Sequence, residues 1–142
     1  MNELTTKNPP ARPAPEGACP HAPRILFADD EPGIRFCCSI ALSRAGYNVT
    51  TVTDGREAWN ALKTKTFDLL VTDNQMPNLA GQDLVLKMRQ HGLKLPIIVA
   101  ASDLEFFLNP ENGWLQVAQL LQKPFDLQQL MEAVTRCVPV GH

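Results

Sequence analysis

Short apolar runs alternate with amphipathic segments along the chain, and this alternation constrains the fold more than any other feature. The strongest run, residues 69–71, is continuously apolar, as expected of a strand that is buried on both faces of a sheet. Strands that alternate with helices predict a parallel sheet with right-handed crossovers and helices on both faces. We therefore expect an α/β, doubly wound fold whose five strands cover residues 24–28, 49–52, 69–71, 96–101 and 117–121.

Helix boundaries are marked by residues with a physical reason to be there. Pro32 suits a first helical turn, where a missing N–H costs nothing, and Gly46 can end the same helix. Asp54 and Asp126 can each cap a later helix by accepting a hydrogen bond from a backbone N–H. The buried face of the first helix is predicted to comprise Ile34, Cys37, Cys38, Ala41, Leu42 and Ala45.

The fourth helix is predicted to be short. Pro110 would disrupt a helix interior, and the Asn-Gly pair at residues 112–113 is typical of a turn, so we expect helix only over residues 103–109. Large apolar side chains are concentrated in this region, namely Phe106, Phe107, Trp114 and Leu115. We expect them to pack locally over the sheet edge, the alternative being a patch that binds a partner.

Composition limits the domain organisation. The 142 residues suffice for one domain, predicted at residues 24–138, followed by a short C-terminal tail at 139–142. Residues 1–23 hold six of the twelve prolines and few large apolar side chains, so we expect a disordered, proline-rich N-terminal tail. The four cysteines include no C-x-x-C pair and the three histidines are scattered, which favours free thiols over a zinc site.

Charge and hydropathy indicate a cytoplasmic protein. The net charge of −2 provides no basic surface for nucleic acid or for acidic membranes. No apolar run is long enough to span a membrane, and the N-terminus lacks the apolar core of a signal peptide. We therefore expect neither direct nucleic-acid binding nor membrane association.

Charged residues follow several of the predicted strands at the point where each ends. Asp29 and Asp30 follow the first strand, Asp73 the third and Lys123 the fifth. The carboxyl ends of parallel strands share one edge of the sheet, and ligands of open α/β sheets bind at that edge. The sequence therefore predicts a cluster of three carboxylates and one lysine on a single rim.

The ordered set of motifs resembles the receiver domain of bacterial two-component response regulators. This resemblance covers residues 24–137, nearly all of the chain outside the tails. Its carriers are the stretch ILFADDEP at residues 25–32, Asp73 followed by Met76-Pro77-Asn78 and Gly81, Pro96-Ile97-Ile98, and Lys123-Pro124-Phe125. The resemblance implies a flavodoxin-like sheet with the strand order 2-1-3-4-5.

The resemblance also implies residue roles. Asp73 is expected to accept a phosphoryl group, and Lys123 to contact the phosphoryl oxygens. Mg²⁺ prefers oxygen ligands, so we expect it to be bound by Asp30, Asp73 and the backbone carbonyl of Gln75, with Asp29 acting through water. The peptide bond between the lysine and the following proline is expected to be cis.

The function that follows is signalling rather than catalysis on external substrates. The expected donor is a sensor histidine kinase or a phosphotransfer protein, and the expected output is contact with a downstream effector protein. The chain is not expected to be an enzyme beyond its own phosphorylation and dephosphorylation. An Mg²⁺-dependent phosphatase is disfavoured because Asn74 and Gln75 stand where a second acid/base carboxylate would be needed.

Two positions depart from the receiver pattern. The small hydroxyl residue of the family falls at Ala101, and its switch aromatic, three residues before the lysine, falls at Leu120. Ser102 is a doubtful substitute because adjacent strand residues point to opposite faces. We therefore expect an atypical switch, and the alternative reading is a degenerate receiver that binds partners independently of phosphorylation.

Overall fold

A parallel sheet organises the computed structural model, which describes residues 22–140. Its strands are β1 (Arg24–Ala28), β2 (Asn48–Val52), β3 (Leu69–Asp73), β4 (Ile97–Ala101) and β5 (Gln119–Gln122). They pair in the order β2-β1-β3-β4-β5, and every pair is parallel. The predicted fold class and strand order are therefore confirmed. The tail predicted for residues 1–23 lies outside the described residues except for its last two.

Helices cover both faces of this sheet. They are α1 (Pro32–Arg44), α2 (Gly55–Thr64), α3 (Gly81–Gln90), α4 (Glu105–Leu108) and α5 (Leu127–Cys137), and a 3₁₀ segment (Pro110–Leu115) follows α4. The predicted caps form: Asp54 accepts a hydrogen bond from the Glu57 N–H at 2.8 Å, and Asp126 and Gln129 form a reciprocal capping box. None of the helices in residues 22–140 has the length and apolar character that crossing a bilayer requires.

Two apolar clusters lie on opposite sides of the sheet. In β1, Ile25 and Phe27 belong to the cluster beneath α1 and α5, whereas Leu26 and Ala28 belong to the cluster beneath α2 and α3. Successive strand side chains point to opposite faces, so a strand covered on both faces is apolar along most of its length. This is the physical reason for the continuous apolar runs in the sequence.

The buried face of α1 differs from the predicted one at Cys37. Cys38 and Leu42 are buried, four residues apart, while Cys37 is exposed and Phe36 is 66% exposed. Each residue rotates the side-chain direction by about 100° around a helix, so a face centred on Cys38 turns its neighbour toward solvent. Including Cys37 in the buried face was therefore wrong.

The region between β4 and β5 contains only a short helix, as predicted. Helix α4 has four residues, and the 3₁₀ segment that begins at Pro110 replaces a longer helix. β5 begins at Gln119 rather than at residue 117. Gln116 adopts a left-handed conformation (φ 53°) directly after the buried Leu115, and this turn delays the start of the strand.

Arg89 of α3 holds this irregular region in place. Its guanidinium donates to the carbonyl oxygens of Leu115 (2.7 Å) and Gln116 (3.3 Å). The same group donates to the carbonyl oxygens of Leu93 (2.7 Å) and Leu95 (3.1 Å) in the loop before β4. One half-buried cation therefore satisfies four backbone acceptors that belong to two different connections.

Both ends of the described chain take part in the fold. Ala22 is buried, and the carbonyl oxygen of Pro23 accepts a hydrogen bond of 2.9 Å from the Asn48 N–H. At the other end, Val138 and Val140 pack against the apolar cluster beneath α1 and α5. Tyr47, between α1 and β2, also holds the C-terminal end, because its hydroxyl donates to the Val138 carbonyl oxygen at 2.6 Å.

Candidate functional site

The carboxyl edge of the sheet brings the predicted charged residues together. One carboxylate oxygen from each of Asp29, Asp30 and Asp73 lies within 4.8 Å of the others. The Lys123 Nζ lies 2.9 Å from the Asp73 Oδ1. Asp29 follows β1 directly, Asp73 ends β3, and Lys123 follows β5, so each side chain reaches the cluster from a different strand.

Asp29 is the most buried member of the cluster. Its side chain accepts a hydrogen bond from the Glu31 N–H at 2.9 Å, and its backbone carbonyl accepts one from the Arg35 guanidinium. Burial raises the pKa of the Asp29 carboxyl, and the negative charge of Asp73 acts in the same direction. The hydrogen bond from Glu31 opposes these two effects without cancelling them. A cation at this edge would therefore stabilise the ionised form of Asp29.

Asp73 presents its carboxylate from a nearly closed position, being 5% exposed. Its Oδ1 forms an ion pair with Lys123 and accepts a longer hydrogen bond of 3.3 Å from the Gln75 N–H. In residues 22–140, no hydrogen bond or ion pair is made to the other oxygen, Oδ2. One oxygen of the carboxylate is therefore held by a cation and a backbone donor, whereas the second has no such partner among the described residues.

The loop that follows Asp73 is closed by backbone contacts that the motifs alone do not reveal. The Asn74 carbonyl accepts a hydrogen bond from the Gly81 N–H at 2.8 Å, and the Asn74 side chain accepts one from the Gln82 N–H at 2.7 Å. A Cβ at Gly81 would lie only 2.6 Å from the Asp73 carbonyl oxygen. Glycine therefore allows the start of α3 to pack directly against the end of β3.

Asn78 fixes the far side of the same loop. It adopts a left-handed conformation (φ 69°), which asparagine tolerates better than most residues. Its side-chain amide donates to the Asp54 carboxylate at 2.7 Å. Asp54 therefore both caps α2 and anchors this loop. The Met-Pro-Asn motif in the sequence indicated this loop, but it did not show that the asparagine contacts Asp54.

The three carboxylates fit a magnesium ion. Mg²⁺ binds oxygen at about 2.0–2.1 Å in octahedral geometry, so its ligand oxygens are separated by about 3.0 Å when adjacent and about 4.2 Å when opposite. The three carboxylate oxygens lie within 4.8 Å of one another, close enough for one ion to be bound by them directly or through water. The hard oxygen donors, without sulfur or imidazole, are the type that Mg²⁺ prefers.

The two departure positions lie where the resemblance places them. Ala101 is the last residue of β4 and is 2% exposed, whereas Ser102 is exposed. Leu120 is half-buried in β5 and packs in the cluster beneath α2 and α3. There is thus no side-chain hydroxyl at the end of β4 and no aromatic ring in β5. The Lys123–Pro124 peptide bond is cis, as the resemblance implies.

An apolar cavity of about 730 Å³ adjoins Lys123. It lies between the first turns of α1 and the loop from β5 to α5, and its walls include Ile34, Phe125 and Leu127. The exposed Cys37 also lines this cavity. The cavity provides an apolar surface directly beside the charged cluster.

Comparisons with known proteins agree with this geometry. The family model of the response regulator receiver domain matches residues 25–135. The response regulator receiver protein CpdR of Brucella abortus is 33% identical over 113 residues, which are 80% of this chain and 94% of that protein. The transcriptional regulator NtrC of Klebsiella pneumoniae is 36% identical over 115 residues, but the chain spans only 24% of its length.

Solved structures show the same likeness. The response regulator TrrA of Thermotoga maritima, solved in complex with Mg²⁺ and BeF, superposes with a TM-score of 0.71 at 27% identity. The match covers 82% of this chain and 99% of that one. The likeness therefore extends over almost the whole of the described fold.

Proposed function

The chain belongs to the response regulator receiver domain family, and from this premise we propose that it is a phosphoacceptor that is phosphorylated on Asp73 with the help of Mg²⁺. The observation that carries the proposal is the juxtaposition of three carboxylate oxygens within 4.8 Å and a lysine 2.9 Å from Asp73. Such a cluster repels itself unless a cation is shared, and a phosphoryl group needs the same positive charge.

The chemistry is a transfer of one phosphoryl group to a carboxylate. An Asp73 oxygen attacks phosphorus, a P–O bond forms, and the bond to the donor breaks, its electron pair leaving with the donor. The donor is a phosphorylated histidine of a sensor kinase or of a phosphotransfer protein. The carboxylate becomes an acyl phosphate. The Lys123 ammonium group then contacts the phosphoryl oxygens instead of the Asp73 oxygen.

Mg²⁺ would supply charge neutralisation at this site. We propose that Asp30, Asp73 and the Gln75 backbone carbonyl hold it directly and that Asp29 acts through water. Since Mg²⁺ binds only the folded site, it should raise the melting temperature by mass action. Asp30→Ala should abolish that rise. An undiminished rise in this variant would show that Mg²⁺ binds elsewhere.

Phosphorylation itself is tested with a small donor. Wild type treated with acetyl phosphate and Mg²⁺ should gain one phosphoryl group by intact mass spectrometry. Asp73→Asn should gain none, while Asp83→Asn, which removes an exposed carboxylate in the first turn of α3, should be labelled like wild type. Equal labelling of the Asp73 variant, or none of wild type, would refute the proposal.

We further propose that the domain is not an enzyme that turns over external substrates. Asn74 and Gln75 follow Asp73, and neither can serve as the second acid/base carboxylate that an aspartate-dependent phosphatase needs. Steady turnover of p-nitrophenyl phosphate, dependent on Asp73, would contradict this proposal.

A second candidate function is that of a receiver whose partner binding does not depend on phosphorylation. Ala101 and Leu120 favour it, because a methyl group cannot donate a hydrogen bond to a phosphoryl oxygen and leucine has no aromatic ring to reorient. Arg89 adds a physical restraint, since it ties the 3₁₀ segment to α3. Amide chemical shifts with and without beryllofluoride discriminate the two: large shifts over residues 103–121 favour a phosphorylation switch, and shifts confined to the charged cluster favour the second candidate.

A further inference from the structure

We propose that a polar cleft beside Asp73 is a docking site for a positively charged, extended segment of a partner protein. The cleft, called here the amide cleft, lies between the start of α3 and α4 and has a volume of about 790 Å³. It is lined by five side-chain amides, the carboxylates of Asp103 and Glu105, and the apolar side chains of Phe106 and Leu108. Its volume is within the range of about 300–1,000 Å³ that is usual for ligand sites.

The charge of the amide cleft selects a cationic occupant. Asp103 and Glu105 are exposed, and within residues 22–140 neither forms an ion pair. No lysine or arginine lines the cleft. The surrounding stretch, residues 102–122, contains three acidic residues and no basic ones, and Lys123, which follows it, is paired with Asp73. Arginine or lysine side chains would be attracted here, whereas acidic peptides and acidic membranes would be repelled.

The amides of the cleft suit an extended peptide backbone. The side-chain oxygen of Asn74 accepts from the Gln82 N–H, and the side-chain nitrogen of Asn112 donates to the Phe106 carbonyl. These hydrogen bonds orient the two amides. The Asn74 side-chain nitrogen and the Asn112 side-chain oxygen are left for an occupant. The side-chain amides of Gln75 and Gln82 form no hydrogen bond within the described part of the chain. Amides offer both a donor and an acceptor, which are the groups that pair with backbone C=O and N–H.

An apolar contact completes the match to a peptide. Leu108 is 66% exposed at the wall of the cleft, beside the half-buried Phe106. The exposed Leu108 side chain offers an apolar contact to an occupant of the cleft. An occupant that alternates basic and apolar residues would pair with the carboxylates and cover Leu108 at the same time.

The probe is a fluorescein-labelled hexapeptide, Ala-Arg-Leu-Arg-Leu-Arg, blocked at both ends and followed by fluorescence anisotropy. The double variant Asp103→Asn/Glu105→Gln removes both charges but keeps the Asp103 oxygen that accepts the Glu105 N–H. It should bind the peptide about fivefold or more weakly than wild type. The matched control Asp68→Asn/Glu132→Gln removes two exposed charges outside the cleft and should change the Kd by less than about twofold.

A second pair of variants tests the apolar contact. Leu108→Ser should weaken binding several-fold, whereas Phe36→Ser, equally exposed on α1, should not. A peptide with citrulline in place of arginine keeps the shape and loses the charge, so its binding should be lost. Equal weakening in both double variants, or undiminished binding of the citrulline peptide, would overturn the proposal. The protein is used without phosphodonor, so the outcome does not depend on whether Asp73 is phosphorylated.

Discussion

Gly81→Ala tests whether the start of α3 sets the position of Asp73. The new Cβ would lie 2.6 Å from the Asp73 carbonyl oxygen and 2.8 Å from the Asn74 Cα, both backbone atoms that cannot rotate away. Ordinary contact requires about 3.4 Å, so the backbone must separate by about 0.8 Å, at an overpacking cost of about 1–3 kcal/mol. The hydrogen bond from the Gly81 N–H to the Asn74 carbonyl would weaken as well, by about 1 kcal/mol.

The better helix propensity of alanine offsets up to about 1 kcal/mol of this loss. We therefore expect Gly81→Ala to lower the free energy of unfolding by about 1–3 kcal/mol in urea titrations. Total stabilities of about 5–15 kcal/mol leave such a variant folded. Because Asp73 would shift relative to Asp29 and Asp30, its labelling rate with acetyl phosphate should fall about tenfold or more.

The matched control is Gly113→Ala, since a Cβ at that position meets no atom within 4 Å. Alanine there should be neutral or stabilise the fold by up to about 1 kcal/mol, through the lower entropy of the unfolded chain. The labelling rate should stay that of wild type. If Gly81→Ala matched Gly113→Ala in stability and labelling, close packing at the end of β3 would not be what positions the phosphoacceptor.

Three further predictions address other parts of the fold. Arg89→Met should destabilise the protein by about 2–4 kcal/mol and speed amide exchange in the 3₁₀ segment, since four carbonyls lose a charged donor; Arg136→Met, at an exposed site, should do neither. Ala101→Thr should enlarge the amide shifts that beryllofluoride causes over residues 102–121, and unchanged shifts would exclude a missing hydroxyl as the cause of weak switching. Maleimide at pH 8 should modify the exposed Cys37 before Cys38, because burial raises the pKa of the Cys38 thiol to about 11. Peptide mass mapping over time measures the two rates, and equal rates would contradict this prediction.

The sequence by itself determined the architecture and the members of the charged cluster. Strands covered on both faces are apolar along most of their length, and this preference is visible in runs such as residues 69–71 without any tertiary information. Asp54 and Asp126 were recognisable as caps because capping involves only residues three positions apart. The strand-end positions of Asp73 and Lys123 implied their meeting, since parallel strands end at one edge.

Only the tertiary structure decided features that depend on contacts distant in sequence. The four acceptors of Arg89 lie up to 27 residues away, so no local pattern indicates that this arginine holds the 3₁₀ segment. The orientation of α1, which buries Cys38 and exposes Cys37, follows from how the helix docks on the sheet rather than from its ambiguous apolar pattern. The amide cleft likewise exists because packing places α4 beside the start of α3, so that Asp103 and Gln82 line the same cavity. Local periodicity specifies elements and edges, whereas the distances between elements arise from packing that the whole chain settles together.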